Sequence, residues 1–263
     1  MSVTSESSNR LTDAQVGEML ALAKDADSVE LKLTVPDSYR RQAAAALGVD
    51  PLDAQIRQVF FFDTPDLALN KVGVVARARR VQGKGDDSVI KLRPVVPAQL
   101  SPELRASSDV VVEVDAMPGG YVCSASYKCA STPSPVRNAV QGEGPLRKLF
   151  TKQQRAFYTA VAPDGLSIDD LSPLGPVNVL KLKFVPPELG RRMVAELWLY
   201  PDGSRILELS TKCLPPEAFD VAAQTKSYLM SHGIDLAGQQ QTKTKAALNY
   251  FAKRLASSTE ENG

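Results

Sequence analysis

Three short segments of this chain alternate apolar with basic residues: 74–79 (Val-Val-Ala-Arg-Ala-Arg), 89–93 (Val-Ile-Lys-Leu-Arg) and 179–184 (Val-Leu-Lys-Leu-Lys-Phe). Two more alternate apolar residues with acids: 111–115 (Val-Val-Glu-Val-Asp) and 206–212 (Ile-Leu-Glu-Leu-Ser-Thr-Lys). Every second side chain of a strand points to the same face, so each segment has one apolar and one ionised face. A single strand of this kind is a solvated edge. Five of them, with both signs mixed, suggest charges that face one another across a closed sheet. Such a barrel has an ionic lumen, and its natural content is a highly charged ligand.

The ionised residues that share the phase opposite the apolar one are the candidate lumen set. The basic members are Lys32, Arg77, Arg79, Lys91, Arg93, Lys181, Lys183 and Lys212; the acidic members are Glu30, Glu113, Asp115, Glu196 and Glu208. Charges held out of water must be paired, because an isolated one costs several kcal/mol even after relaxation. The cations are in surplus, so a polyphosphate gripped by Lys and Arg, with Mg²⁺ or Mn²⁺ on the carboxylates, would balance them. The same rows equally describe a solvent-facing sheet laced with cross-strand ion pairs. Pattern alone does not separate the two.

The rest of the composition limits the alternatives. With 263 residues, 43% of them hydrophobic and 23% charged, the chain has ample core for one folded unit. Its 31 basic and 30 acidic residues leave a net charge of +1, so it is not a polycation for nucleic acid or membrane surfaces. Aromatics make up only 6% and cluster at 60–62 rather than among the basic positions, which argues against stacking on single-stranded nucleic acid. Cys123, Cys129 and Cys213 form no Cys-x-x-Cys pair, and His232 is the sole histidine, so a structural zinc site is not expected. Neither an apolar leader nor a membrane-length apolar run is visible, and the expectation is a reduced, cytoplasmic protein, a monomer or homodimer.

Along the chain, residues 1–10 and 257–263 read as polar tails around a single domain over 11–256. A helix is expected over 12–24, with Thr12 and Gln15 as a capping box. Strands are expected at 29–33, 59–62, 74–80, 88–93, 109–115 and 177–184, with a hairpin over 193–212 turning at Pro201-Asp202-Gly203. Helices are expected at 39–47, 145–162, 216–232 and 242–256. Residues 116–143, rich in Pro, Gly and Ser, read as an irregular insert, on which Cys123 and Cys129 could lie close together. The stretch Gly83-Lys84-Gly85-Asp86-Asp87 joins two strands and lacks the Gly-Lys-Ser/Thr ending, so it is not a phosphate-binding P-loop. His232 is expected at a helix end, and Trp198 is expected to pack rather than to stack a ligand at a tunnel mouth.

Several of these segments, in their order, resemble the CYTH domain, whose proteins are also called triphosphate tunnel metalloenzymes. They are Val29-Glu30-Leu31-Lys32, Phe62-Asp63-Thr64-Pro65-Asp66 followed by Lys71-Val72-Gly73, Arg77-Ala78-Arg79, Lys91-Leu92-Arg93, Val112-Glu113-Val114-Asp115, Leu180-Lys181-Leu182-Lys183, Leu207-Glu208-Leu209-Ser210 and Thr242-Lys243-Thr244-Lys245. The likeness spans about residues 28–250. It implies an α+β, mainly antiparallel β fold: an eight-stranded closed tunnel barrel with flanking helices. By position, Lys32, Arg77, Arg79, Lys91, Arg93, Lys181, Lys183, Lys212 and Lys243 would hold phosphate. Glu30, Glu113, Asp115, Glu196 and Glu208 would bind metal or orient water, with Glu30, Glu113 and Lys32 as the catalytic set. Ser28 and Ser210 stand where richer members carry acids.

The resulting expectation is divalent-metal-dependent hydrolysis of an inorganic or organic triphosphate. The alternatives are a non-catalytic triphosphate- or polyphosphate-binding module and adenylyl cyclase-type nucleotide chemistry.

Overall fold

The alternating segments become a closed barrel. The computed structural model describes residues 11–234 and 243–260. Its strands are β1 (Ser28–Val35), β2 (Gln55–Asp63), β3 (Val74–Val81), β4 (Asp86–Leu92), β5 (Val110–Met117), β6 (Gly120–Ser131), β7 (Ser172–Phe184), β8 (Met193–Leu199) and β9 (Arg205–Cys213). They close in the order β1-β5-β6-β4-β3-β2-β7-β8-β9, with β9 returning to β1. Every neighbouring pair is antiparallel except β1 and β5, which run parallel with Glu30 opposite Asp115.

The eight-stranded antiparallel barrel expected from the sequence is thus corrected to a mixed barrel of nine strands among the described residues. The additional strand is β6, which lies inside the segment read as an irregular insert. Pro118 and Gly119 form a two-residue turn that brings Met117 opposite Gly120, and Gly119 takes a φ of 76° that suits glycine. On β6, Cys123, Ala125 and Tyr127 pack outward, while Ser124, Ser126 and Lys128 hold the other face. Small hydroxyls in place of ions hide the alternation. Cys123 and Cys129 lie six positions apart on one strand, about 20 Å at 3.3 Å per residue, so they do not approach each other.

The helices are α1 (Asp13–Lys24), α2 (Asp37–Arg40), α3 (Ala43–Ala46), α4 (Ala68–Lys71), α5 (Pro102–Ala106), α6 (Pro133–Val140), α7 (Lys152–Val161), α8 (Ala218–Ser231) and α9 (Lys243–Glu260). The expected capping box starts α1: Thr12 Oγ1 accepts from the Gln15 amide, and the Gln15 side chain accepts from the Thr12 amide. The single helix expected over 145–162 is split. A 3-10 turn at Leu146–Leu149 precedes α7, whose own box of Thr151 and Gln154 sets its start. The 39–47 helix is likewise two short pieces, α2 and α3. Helix α9 continues to Glu260, through residues assigned to the polar tail, whereas 1–10 and 261–263 lie outside the described residues.

Outward faces of the strands bury two apolar clusters. Met19 and Ala23 of α1, Val136 of α6 and Phe157 of α7 cover β3 to β6, around Phe60, Ala76, Ile90, Val112 and Val114. Tyr228 and Leu229 of α8 cover Leu33, Val35, Met193 and Leu209. The third cluster is inside the barrel. Val59, Phe61, Val75, Val177, Trp198 and Ile206 meet Ala247, Leu248 and Phe251 of α9 at one end. Each large side chain buried there contributes about 1.5–3 kcal/mol, so α9 is a firmly seated cap. At the opposite end Lys128, Lys183 and Lys212 are exposed, which marks the mouth. Among the described residues no helix is long and apolar enough to cross a membrane.

Candidate functional site: the charged lumen

Strand parity carries the sequence-predicted residues inward. Glu30 and Lys32 come from β1, Arg77 and Arg79 from β3, and Lys91 from β4, with Arg93 just beyond it. Glu113 and Asp115 come from β5, Lys181 and Lys183 from β7, Glu196 from β8, Glu208 and Lys212 from β9, and Lys243 opens α9. All lie in the phase opposite the residues of the two outer clusters.

Three ionic groups divide the acids among them. Lys32 Nζ stands 3.2 Å from Glu30 Oε2 and 2.9 Å from Asp115 Oδ1, between two carboxylates that face each other across β1 and β5. Lys91 Nζ approaches the other oxygen of Asp115 at 3.4 Å. On the neighbouring strands β8 and β9, Glu196 is opposite Glu208, and Lys243 Nζ sits 2.6 Å from each. Lys181 Nζ, at 2.7 Å, and the Trp198 indole N–H, at 3.2 Å, complete the shell of Glu196. Lys243 also lies 5.0 Å from the Trp198 ring centroid. Glu113 takes the Lys212 ammonium and accepts a hydrogen bond from Ser28 Oγ at 3.1 Å. These five acids lie on the adjacent strands β8, β9, β1 and β5, and no three His, Cys, Asp or Glu residues gather as a metal cluster among the described residues.

The electrostatics follow from this arrangement. Burial alone would raise the Glu196 carboxyl, but Lys243 and Lys181 outweigh it and hold the group well below the ordinary carboxylate range. Asp115 is lowered in the same way: burial opposes, and Lys32 and Lys91 prevail. Burial works against the Lys32 ammonium, yet Glu30, Asp115 and Glu208 together raise its pKa. Lys91 and Lys181 are lowered, since burial, helped by neighbouring cations, exceeds what Asp115 with Glu113 and what Glu196 return.

The arginines of β3 behave differently from each other. Arg79 makes a bidentate pair with Asp87, both contacts at 2.8 Å. Arg77 lies between Phe61 and Val89 in the cross-strand register and makes no ion pair among the described residues. Its Nε is buried without a hydrogen-bond partner. Burial first, and then the charge of Arg79, disfavour its cationic form. Arg93 also lacks an ion pair among the described residues; its amide donates to the Gly73 carbonyl at 2.9 Å.

Three lumen residues escaped the sequence reading. Arg57 of β2 bonds Gln55 Oε1 at 3.1 and 2.8 Å, and the alternation Gln55-Ile56-Arg57-Gln58-Val59 signals it. Asp87 is in phase with Lys91, although the boundary placed it in a loop. Lys128 lies 3.6 Å from Asp87. Conversely, Asp63 of the Phe62-Asp63-Thr64-Pro65-Asp66 motif is structural. Its oxygens accept from the amides of Thr64, Leu69 and Asn70 at 2.8–3.0 Å and tie off the turn into α4. His232 ends α8 with Nδ1 2.8 Å from the Tyr228 carbonyl, away from the lumen.

No protein-family model matches the chain, and no curated protein does. Solved structures do. HpAC1 from Hippeastrum is a candidate adenylyl cyclase described as having a dominant triphosphatase activity. It superposes with a TM-score of 0.61 at 18% identity, over 82% of this chain and 92% of that one. A candidate adenylate cyclase from Bacillus halodurans superposes with a TM-score of 0.59 at 11% identity, over 84% of this chain and 97% of that one. The likeness holds at the level of the fold: this chain's closed, charge-lined barrel superposes on these two structures over more than four fifths of its length.

Proposed function

We propose that the lumen binds the triphosphate end of a small molecule and hydrolyses it. The observation that carries this reading is Arg77, half-buried next to Arg79, whose Nε is buried and orphaned and which makes no ion pair among the described residues. A cation partly withdrawn from water without a counter-ion favours an arriving anion, and phosphate oxygens match the guanidinium fork. Arg93 offers a second unpaired guanidinium. The fold shared with a protein described as a triphosphatase supports the same substrate class.

Charge on the transferred group is offset by Lys32, Lys91, Arg77 and Arg79. Water forms its bond to the terminal phosphorus as the anhydride P–O bond breaks, and the remainder leaves as pyrophosphate from inorganic triphosphate or as the diphosphate ester from an organic one. Glu113 or Glu30 takes the water proton, and Lys32, held charged by its acids, offsets the charge left on the departing oxygen. Divalent ions such as Mg²⁺ are commonly held by one or two carboxylates together with substrate phosphates, and the facing pair Glu30 and Asp115 fits that donor set. Glu113, Glu196 and Glu208 are the remaining carboxylate candidates. Mg²⁺ or Mn²⁺ bound there would offset phosphate charge. Lys32 would then turn toward the phosphates.

One observation favours a non-catalytic binding module as the second reading: each of the five lumen acids read from the sequence already holds a lysine. Phosphate release from inorganic triphosphate, thiamine triphosphate and nucleoside triphosphates, with Mg²⁺, Mn²⁺ and chelator, separates the two. Release that Glu113→Gln abolishes, with affinity retained, supports hydrolysis; tight binding without any release supports the module.

A further inference from the structure

Two apolar clusters cover the outer wall of the barrel without merging. Met19 of α1 belongs to one, and Leu229 of α8 to the other. Between these helices lies a cavity of about 770 Å³, floored by Leu31 and Leu33 of β1, Leu209 of β9 and Met193 of β8. It is separate from the charged lumen, because Lys32, set between Leu31 and Leu33, sends its ammonium to the other side of the sheet, onto Glu30 and Asp115.

Helix α8 gives the cavity its wall. Phe219, Ala222, Lys226 and Met230 follow one another at helical spacing along it, and the small Ala222 leaves the room that a larger side chain would fill. Phe219 is 49% exposed and Met230 59%, an apolar surface that the chain itself leaves open. Lys226 stands between them on that ridge, exposed and without an ion pair among the described residues. No Asp or Glu lines the cavity among the described residues. Next to Lys226, the Thr225 hydroxyl oxygen is buried without a hydrogen-bond partner among them. Buried hydroxyls are nearly always satisfied, so this one calls for an acceptor from outside.

A volume of this size lies within the ~300–1,000 Å³ of small-molecule sites. An apolar trough with one ammonium, an orphaned hydroxyl and no acid complements a hydrocarbon chain that ends in a hydrogen-bond-accepting anion. We infer that the cavity between α1 and α8 binds a single-chain carboxylate amphiphile of the fatty-acid class. Its chain lies over Leu31, Leu33 and Leu209, and its head group meets Lys226 and Thr225. The site is independent of what the lumen binds.

The test is calorimetric titration of the full chain with dodecanoate and with dodecyltrimethylammonium, both below their micellar concentrations. Wild type, Lys226→Gln and Ala222→Trp are compared, and thermal melts report whether each variant is folded. Wild type is expected to bind one dodecanoate per chain and to bind the cationic amphiphile more weakly. Lys226→Gln, a change at an exposed position, weakens dodecanoate ~5- to 10-fold and narrows the gap between the two amphiphiles. Ala222→Trp fills the cavity and abolishes binding of both; should it fail to fold, Lys226→Gln decides. Absence of dodecanoate binding to wild type, equal affinity for the two amphiphiles, or an affinity that a folded variant leaves unchanged overturns the inference. Sedimentation with anionic phospholipid vesicles, without affinity for monomeric dodecanoate, overturns it in favour of a membrane surface. None of these outcomes bears on triphosphate binding in the lumen, which is measured separately.

Discussion

Asp115 is held by two lysines of the lumen, Lys32 at 2.9 Å and Lys91 at 3.4 Å. Removing one partner of a buried ionic group leaves the others uncompensated, so Asp115→Asn is expected to cost ~3–5 kcal/mol near neutral pH. Its pKa is lowered in the folded protein. The stabilisation is therefore fully present above the unfolded value of about 4 and is lost as pH falls through the lower, folded value. Thermal melts of wild type and Asp115→Asn should differ strongly at pH 7 and converge as the solution is acidified below about pH 4. A gap that persists undiminished at the acid end contradicts the assignment. Lys243 has the corresponding role between β8 and β9. With Lys243→Met, Glu196 and Glu208 face each other without the ammonium between them, and a drop in melting temperature that shrinks on acidification is expected.

Among the elements, the segment between α4 and β3 sets where an unpaired arginine stands. Gly73 has a φ of 78°, and a Cβ there would lie 2.0 Å from the Arg93 carbonyl oxygen. Gly73→Ala forces that carbonyl away and strains the backbone, at a cost of ~1–3 kcal/mol. It should weaken triphosphate binding along with stability, because Arg93 moves with its carbonyl; unchanged affinity in a folded variant would show that Arg93 does not take part. The same scale explains what could be read from the chain in advance. Strands β3, β4 and β7 announce themselves because ions alternate with Val, Leu and Ala, but the mixed signs fit a closed sheet and an open, ion-paired face equally well. Strand β6 is silent, since Ser124 and Ser126 carry no charge and Pro118-Gly119 looks like a break rather than a hairpin. Arg57 was missed for a boundary reason, because the apolar run of Val59 to Phe62 masks where β2 begins. The pairing of each acid with a lysine was not legible, as register between distant strands is set by tertiary packing.

The whole barrel closes through pairs that are far apart in sequence. β1 needs both β5 and β9, and β2 needs β7, so neither half has a complete sheet of its own. Residues 1–116 expressed alone would expose the edges that β6, β7 and β9 cover, and are not expected to fold cooperatively. A soluble fragment melting at the temperature of the full chain would refute this. Closure also creates the site. It brings the rows of β1, β3, β4, β5, β7, β8 and β9 into one lumen, and α9 caps one end so that a ligand enters past the basic rim. At the centre of that lumen stands Arg77, which makes no ion pair among the described residues. Titration calorimetry of inorganic triphosphate into wild type and Arg77→Ala tests its role most directly. One site per chain in wild type, weakened ~10- to 100-fold in a variant at least as stable as wild type, is the predicted result. Absence of binding to wild type, or equal affinity for both proteins, would contradict it.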